Sequence, residues 1–262
     1  MKDDYLFDNY RLAEFYDDMY NYIEDFKLWK NYIKSGMNIL ELACGSGRLT
    51  KLMLENFENI TVNALDYSKE MLDLLRKKKE KYEIKSNNKL KIIESDMRYY
   101  KGNEKYDLII IPSNSLNHIE INGDMEFLLN NLYGLLNTGG YLVFDILNPI
   151  FSFLINRDKW NSGKIYKHSN TDKFFYTDEK SQYDYATQIN HVQYRYYYCS
   201  EEGKKLKNTP IFKMNIKVRL YFPQEMDYYI SKTEFKVIGK YEWYDKKPFR
   251  GKTSEQIYVL QK

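Results

Sequence analysis

Three carboxylates and two glycines in the first part of the chain have a spacing that could do chemistry together. Glu41 lies in the short apolar run Ile39–Ala43, and the turn Gly45-Ser46-Gly47 follows it directly. Asp66 closes a second apolar run, Ile60–Leu65, and Asp96 follows a third, Leu90–Glu94. Glycines admit a ligand close to the backbone because no Cβ stands in the way. A helix that starts just after such a turn aims its free N–H groups and positive dipole end at the same space. Strand, glycine turn and helix therefore read as a receptor for a nucleotide-like or carboxylate-bearing ligand. Asp66 falls about 20 residues past the turn, where dinucleotide-binding folds place the acid that holds ribose hydroxyls. The third glycine of that pattern is missing, because Thr50 stands there. Acids after three successive strands and a two-glycine turn suit a ligand with ribose, base and amino groups but no diphosphate.

The elements that must hold these residues follow from the pattern of apolar side chains. Tyr10 to Lys34 carries Leu12, Phe15, Met19, Ile23, Phe26 and Trp29 at helical spacing, and Gly36 stops it. Ser68 is placed to cap the helix after the second strand, with Met71 three residues on. Tyr106 to Ile111 is almost unbroken apolar sequence, as in a strand buried on both faces of a parallel sheet. Pro112-Ser113-Asn114-Ser115 then leaves that strand at the edge where open α/β sheets bind ligands, and His118 follows in the same loop. Met125 to Leu136 reads as a helix. Gly139 and Gly140 turn the chain back to a fifth strand, Tyr141–Leu147.

This alternation of strands and helices predicts an α/β fold, a doubly wound Rossmann-like sheet. Phe235–Tyr241 and Gln256–Gln261 supply its last two strands, paired antiparallel. Between Phe151 and Leu220 the period changes to strand-like alternation, with Tyr183, Tyr185, Tyr194, Tyr196 and Tyr198 prominent. We read this as an antiparallel β insertion after the fifth strand, too thin in its own core to be independent. Three segments are expected: 1–149, an N-terminal helix and nucleotide-binding core; 150–220, the insertion over the active site; and 221–262, the return to the core. The tyrosine stripe reads first as the packed face of the insertion, and second as an aromatic wall able to hold a protonated amine.

Four stretches in order, E-L-A-C-G-S-G, L-D-Y-S-K-E-M-L, E-S-D-M-R-Y and Y-D-L-I-I-I-P-S-N-S-L-N-H-I, resemble the signature series of class I S-adenosylmethionine-dependent methyltransferases. The resemblance implies S-adenosyl-L-methionine as methyl donor and in-line methyl transfer to N or O of a small molecule. It implies that Glu41, Ala43, Gly45 and Gly47 surround the methionine moiety, and that Asp66 takes the ribose hydroxyls. Tyr67 and Met71 would flank the adenine, Asp96 would accept from its amino group with Met97 alongside, and Ser113 would lie near the methionine portion. The stretch A-E-F-Y-D-D-M-Y is similar to the N-terminal segment of the family's aminosugar N-methyltransferases, which implies a catalytic role for Tyr16. His118 stands where these enzymes can place a histidine near the acceptor. It is the candidate base for an alcohol acceptor.

Composition narrows the field. A net charge of +3 with interspersed signs carries no electrostatic footprint for nucleic acid or membrane, so a tRNA methyltransferase ranks below one acting on a small molecule. A protein methyltransferase and a non-catalytic S-adenosylmethionine-binding module also stay open. An oxidoreductase is weakest, given Thr50. Two distant cysteines, Cys44 and Cys199, argue against a disulfide framework. With no signal-peptide pattern at M-K-D-D-Y-L-F-D-N-Y and no run approaching a membrane span, a cytoplasmic protein is expected. No set of metal ligands is assigned.

Overall fold

A computed structural model describes residues 9–86, 88–155, 157–169 and 171–262. Residues 1–8, most of the stretch read for a signal peptide, lie outside the described residues. The chain forms two compact units. One combines Tyr22–Ile150 with Tyr221–Lys262, and the other combines the described residues of Met1–Asn21 with Phe151–Leu220.

The larger unit is built on a seven-stranded sheet. Its strands are β1 (Asn38–Leu42), β2 (Thr61–Asp66), β3 (Lys89–Glu94), β4 (Tyr106–Ile111), β5 (Leu136–Leu147), β10 (Lys236–Tyr241) and β11 (Glu255–Gln261). The spatial order is β10-β11-β5-β4-β1-β2-β3. The first five strands run parallel, and β11 is antiparallel to both β5 and β10. The order reverses between β1 and β4, which makes their carboxyl ends the switch point where such sheets take ligands.

Each parallel strand sends alternate side chains into two apolar layers. Leu40, Leu42, Ile109, Ile111 and Phe144 pack on one side with α5 (Asn122–Leu135) and α7 (Pro223–Ser231). Ile39, Val62, Leu108, Ile110 and Val143 pack on the other with α2 (Phe26–Trp29), α3 (Arg48–Asn56) and α4 (Lys69–Ser86). Burial on both faces is why these strands read as continuous apolar runs. Among the described residues, no helix is long and apolar enough to cross a membrane.

The smaller unit has a four-stranded antiparallel sheet, β6 (Arg157–Lys167), β7 (Phe174–Asp184), β8 (Ile189–Cys199) and β9 (Phe212–Arg219), in that order. It also holds α1 (Asn9–Met19) and the short α6 (Phe151–Leu154). Phe15 of α1 is fully buried, with its ring centroid 4.8 Å from Phe175 and 5.6 Å from Phe212. Opposed aromatics stack across the strands: Tyr196 on Phe212 at 4.0 Å on the α1 side, and Tyr176 on Tyr197 at 5.7 Å on the other. Part of the tyrosine stripe is therefore cross-strand pairing.

Three expectations need correction. The N-terminal helix does not belong with the nucleotide-binding core. Phe15 buries its ring in the antiparallel sheet, and the buried His168 sets Nδ1 2.9 Å from Asp18 of α1. That helix supplies the core the insertion was expected to lack. Nor is Tyr10–Lys34 one helix. It breaks between Met19 and Phe26, and Ile23, counted in the apolar stripe, is 62% exposed. The backbone there turns to other partners, with Tyr22 C=O accepting from Arg48 at 2.8 Å. Finally, β5 begins at Leu136 rather than Tyr141. Gly139, at φ +79°, sits in an irregularity that shifts the register against β4.

Candidate functional site

The chain leaves β1 through three residues in left-handed conformations: Ala43 at φ +55°, Gly45 at +55° and Gly47 at +86°. Glycine accepts this freely, whereas alanine does so only when its surroundings hold it there. A Cβ on Gly47 would also run into the side chain of Leu75, which would have to shift to admit it. At the end of β4, Ser113 and Asn114 repeat the left-handed geometry at φ +61° and +59°. Both strands at the switch point thus end in constrained backbone.

Asp66 ties the turn to the end of β2. Its carboxylate accepts the Gly45 N–H and the Ser68 N–H, each at 2.8 Å. Burial pushes its pKa up, and these N–H groups, with the charge of His118, pull it part of the way back. His118 therefore lies within electrostatic reach of Asp66, exposed at the end of a short 3-10 turn, Ser115–His118.

Glu41 is wholly buried. One carboxyl oxygen accepts the Thr50 hydroxyl, and the other, Oε1, has no hydrogen-bond partner. Burial raises its pKa to about 8. Thr50, where a dinucleotide pattern would have its third glycine, instead anchors this acid. A buried acceptor left open costs on the order of 1–3 kcal/mol, and a ligand ammonium would satisfy it. This orphaned oxygen beside a glycine turn fits the amino-acid end of S-adenosylmethionine.

The other sequence-predicted residues are placed as follows. Met71 is buried, and its N–H reaches the Ser68 hydroxyl at 3.3 Å, so Ser68 does cap α4. Tyr67 is 59% exposed. Met97 is half-buried and packs against the apolar layer. Asp96 is gripped by Arg98, whose Nη2 lies 2.5 Å from Oδ2 while the Arg98 backbone N–H reaches Oδ1 at 2.9 Å. Burial acts to raise the Asp96 pKa, but the bonds from Arg98 outweigh it and hold the carboxyl below the usual range. The Ser113 hydroxyl is 3.1 Å from the Tyr22 hydroxyl and 3.2 Å from Arg48 Nη2. Tyr16 belongs to the smaller unit, where its ring stacks on Tyr20 at 4.6 Å.

A second set of polar residues is not marked by any sequence pattern used above. Arg48, the first residue of α3, forks onto Asp25 at 2.8 and 2.5 Å, and its guanidinium lies 4.2 Å from the centre of the Tyr22 ring. Asp145 of β5 is wholly buried and accepts the Asn114 N–H at 2.7 Å and the Tyr244 hydroxyl at 2.6 Å. An acid inside the apolar run F-D-I-L was the available signal for Asp145. Nothing local marked its partners.

The family profile described as "Methyltransferase domain" matches residues 40–142, the span that carries the glycine turn, Asp66, Asp96, Ser113 and His118. Residues 40–142 are thus similar to a methyltransferase domain. Malonyl-[acyl-carrier protein] O-methyltransferase 1 of Ilyobacter polytropus is 28% identical over 186 residues, covering 70% of this chain and 63% of that relative. The chain spans between about half and just under two thirds of the length of the curated relatives it matches first. An S-adenosylmethionine-dependent methyltransferase from Clostridium acetobutylicum superposes with a TM-score of 0.74 at 19% identity, over 96% of this chain and 97% of that one. S-adenosylmethionine-bound CalS10, an amino pentose methyltransferase from Micromonospora echinaspora, superposes at 0.67 and 15% identity, over 98% and 97%. At these identities the likeness is one of fold. The profile match ends short of Asp145, Tyr244 and Glu255, although all three belong to the same compact unit as the matched residues.

Proposed function

We propose that the chain transfers a methyl group from S-adenosylmethionine to a nitrogen or oxygen of a small molecule. The observation that carries this reading is the open Glu41 oxygen beside the glycine turn of a methyltransferase domain. Glu41, Ala43, Gly45 and Gly47 would hold the methionine part of the donor, with Ser113 nearby. Asp66 would accept the ribose hydroxyls, while Tyr67 and Met71 would flank the adenine. Asp96 would take the adenine amino group on the lone pairs that Arg98 leaves, with Met97 beside it.

When bound, S-adenosylmethionine supplies an activated methyl on a sulfonium, for in-line displacement by an acceptor lone pair. The protein's share is then mostly alignment, worth up to roughly 7–11 kcal/mol in well-oriented systems. For an alcohol acceptor, His118 would take the hydroxyl proton, its imidazolium stabilised by the Asp66 carboxylate. Tyr16 would orient the acceptor through its hydroxyl. The fold likeness to an amino pentose methyltransferase supports a small-molecule acceptor, and the +3 net charge weighs against RNA. Cysteine usage supports a cytoplasmic place of work, since Cys44 and Cys199 are both unpaired.

The test is calorimetric titration with S-adenosylmethionine and with NAD, followed by transfer of labelled methyl to a panel of small amines, alcohols and tRNA. We expect donor binding, no response to NAD, and label on a small molecule. NAD binding without a response to S-adenosylmethionine overturns the reading. Donor binding with no transfer to any acceptor replaces it with a sensor. His118→Asn should cut turnover of alcohols more than of amines, and Tyr16→Phe should lower turnover while donor affinity holds.

A further inference from the structure

In the larger unit, polar side chains gather where β5 and β11 meet. Glu255 opens β11 opposite Leu147 and is 8% exposed. The Asn114 side chain lies close enough to act on its carboxyl, and the Ser254 hydroxyl is 3.4 Å from Oε1. Asp145 lies close behind, within electrostatic reach of Glu255, and is held by Tyr244 and the Asn114 backbone. Two acceptors in this group have no hydrogen-bond partner: Glu255 Oε2 and Asn114 Oδ1. They belong to neighbouring side chains, so a single small group could serve both.

The chemistry of that group is constrained. Two open acceptors call for at least two donors, and a hydroxyl has one. Two carboxyl groups favour a positive charge. Among the described residues no cluster of three or more His, Cys, Asp or Glu has metal-binding geometry, so a metal ion is a poor occupant. An ammonium group meets both demands.

We propose that Glu255 and Asn114, backed by Asp145, form a receptor for the amino group of a small-molecule acceptor. The inference rests on the methyl-transfer reading and deepens it, because it makes nitrogen the atom methylated. The same receptor handles the proton. A protonated amine has no lone pair to attack with. Ionised Glu255 takes one N–H proton, leaving a neutral amine with its lone pair free and a neutral carboxyl on Glu255. Burial and the Asp145 charge raise the Glu255 pKa to about 8, close to the range of α-amino groups, so the transfer is near balance.

The test uses the full chain loaded with S-adenosylhomocysteine, titrated calorimetrically with small primary and secondary amines and with alcohols of the same carbon skeletons. Methyl transfer from S-adenosylmethionine to the same compounds is measured in parallel. Amines should bind in preference to the matched alcohols. Glu255→Gln should weaken amine binding and raise the amine KM at least tenfold, move the acidic limb of the kcat/KM profile, and leave donor affinity within twofold. Asn114→Gly, which suits the left-handed backbone at φ +59°, should weaken amine binding in the same direction and guards against a misfolded Glu255 variant. Alcohols bound as well as amines, no binding of either, or unchanged amine affinity in both variants overturns the proposal. If amines bind through Glu255 but no methyl is transferred, the receptor stands and the methyl-transfer reading falls.

Discussion

Asp25 and Arg48 form a forked ion pair at 2.8 and 2.5 Å, with the Asp25 side chain fully buried and that of Arg48 only 11% exposed. It joins the segment ahead of the sheet to the first residue after the glycine turn. Trp29 Nε1 donates to the same carboxylate at 3.1 Å. Removing one member leaves the other charged and buried, at a cost of about 3–5 kcal/mol. Asp25→Ala and Arg48→Ala should each lower stability by that order in urea unfolding. The double variant should lose clearly less than the sum. Additive losses would mean the pair is not coupled.

Three carboxyl groups make the larger unit acid-tolerant. Burial raises Glu41 and Glu255 to about 8 and Asp145 to about 6, against unfolded values of about 4. The folded state therefore holds more protons than the unfolded state across this window. Their contribution is complete below about pH 4, is lost progressively as pH rises, and is gone above the folded values. The unfolding free energy from urea titration should fall between pH 5 and pH 8, by at most about 1.4 kcal/mol per pH unit for each group, and the midpoint should fall with it. Glu41→Gln should flatten the curve. A midpoint that climbs over this range contradicts the assignment.

Glu41 also makes donor binding pH-linked. An ammonium placed on its open oxygen favours the ionised form, so a group with a pKa of about 8 must give up a proton at pH 7. Titrations with S-adenosylmethionine in two buffers of different ionisation enthalpy should show proton release approaching one per site. Glu41→Gln should abolish the buffer dependence and weaken binding. Equal heats in both buffers for the native protein would separate Glu41 from the ammonium.

Phe15 should be the main attachment of α1. Its ring is fully buried among Phe175, Tyr196 and Phe212. Phe15→Ala should cost the smaller unit about 3–5 kcal/mol, visible as faster proteolysis within residues 12–20 and 157–219. A variant as resistant as the native chain would show that other contacts hold the helix.

Much of the larger unit was legible in the sequence because its strands are buried on both sides, and few other environments produce runs like Tyr106–Ile111. Its strand-end acids were legible because they interrupt or close such runs. What stayed hidden was tertiary in origin. Asp25 meets Arg48 across 23 residues, and Tyr244 meets Asp145 across 99, distances at which neither partner marks the other. The break after Met19 was hidden because Ile23 and Phe26 continue the helical spacing although Ile23 faces water. The grip of Arg98 on Asp96 joins residues only two apart, yet pattern alone did not show that this acid is already engaged.

The smaller unit is written in two pieces of sequence, one before Tyr22 and one from Phe151 to Leu220. Excising only the second piece would strand Phe15 in water with nothing to cover it. A minimal nucleotide-binding fragment must therefore begin near Tyr22 as well as lose the later sheet. By the same logic, a transplant of the insertion into another scaffold would have to carry the first helix along, or be given a replacement for it.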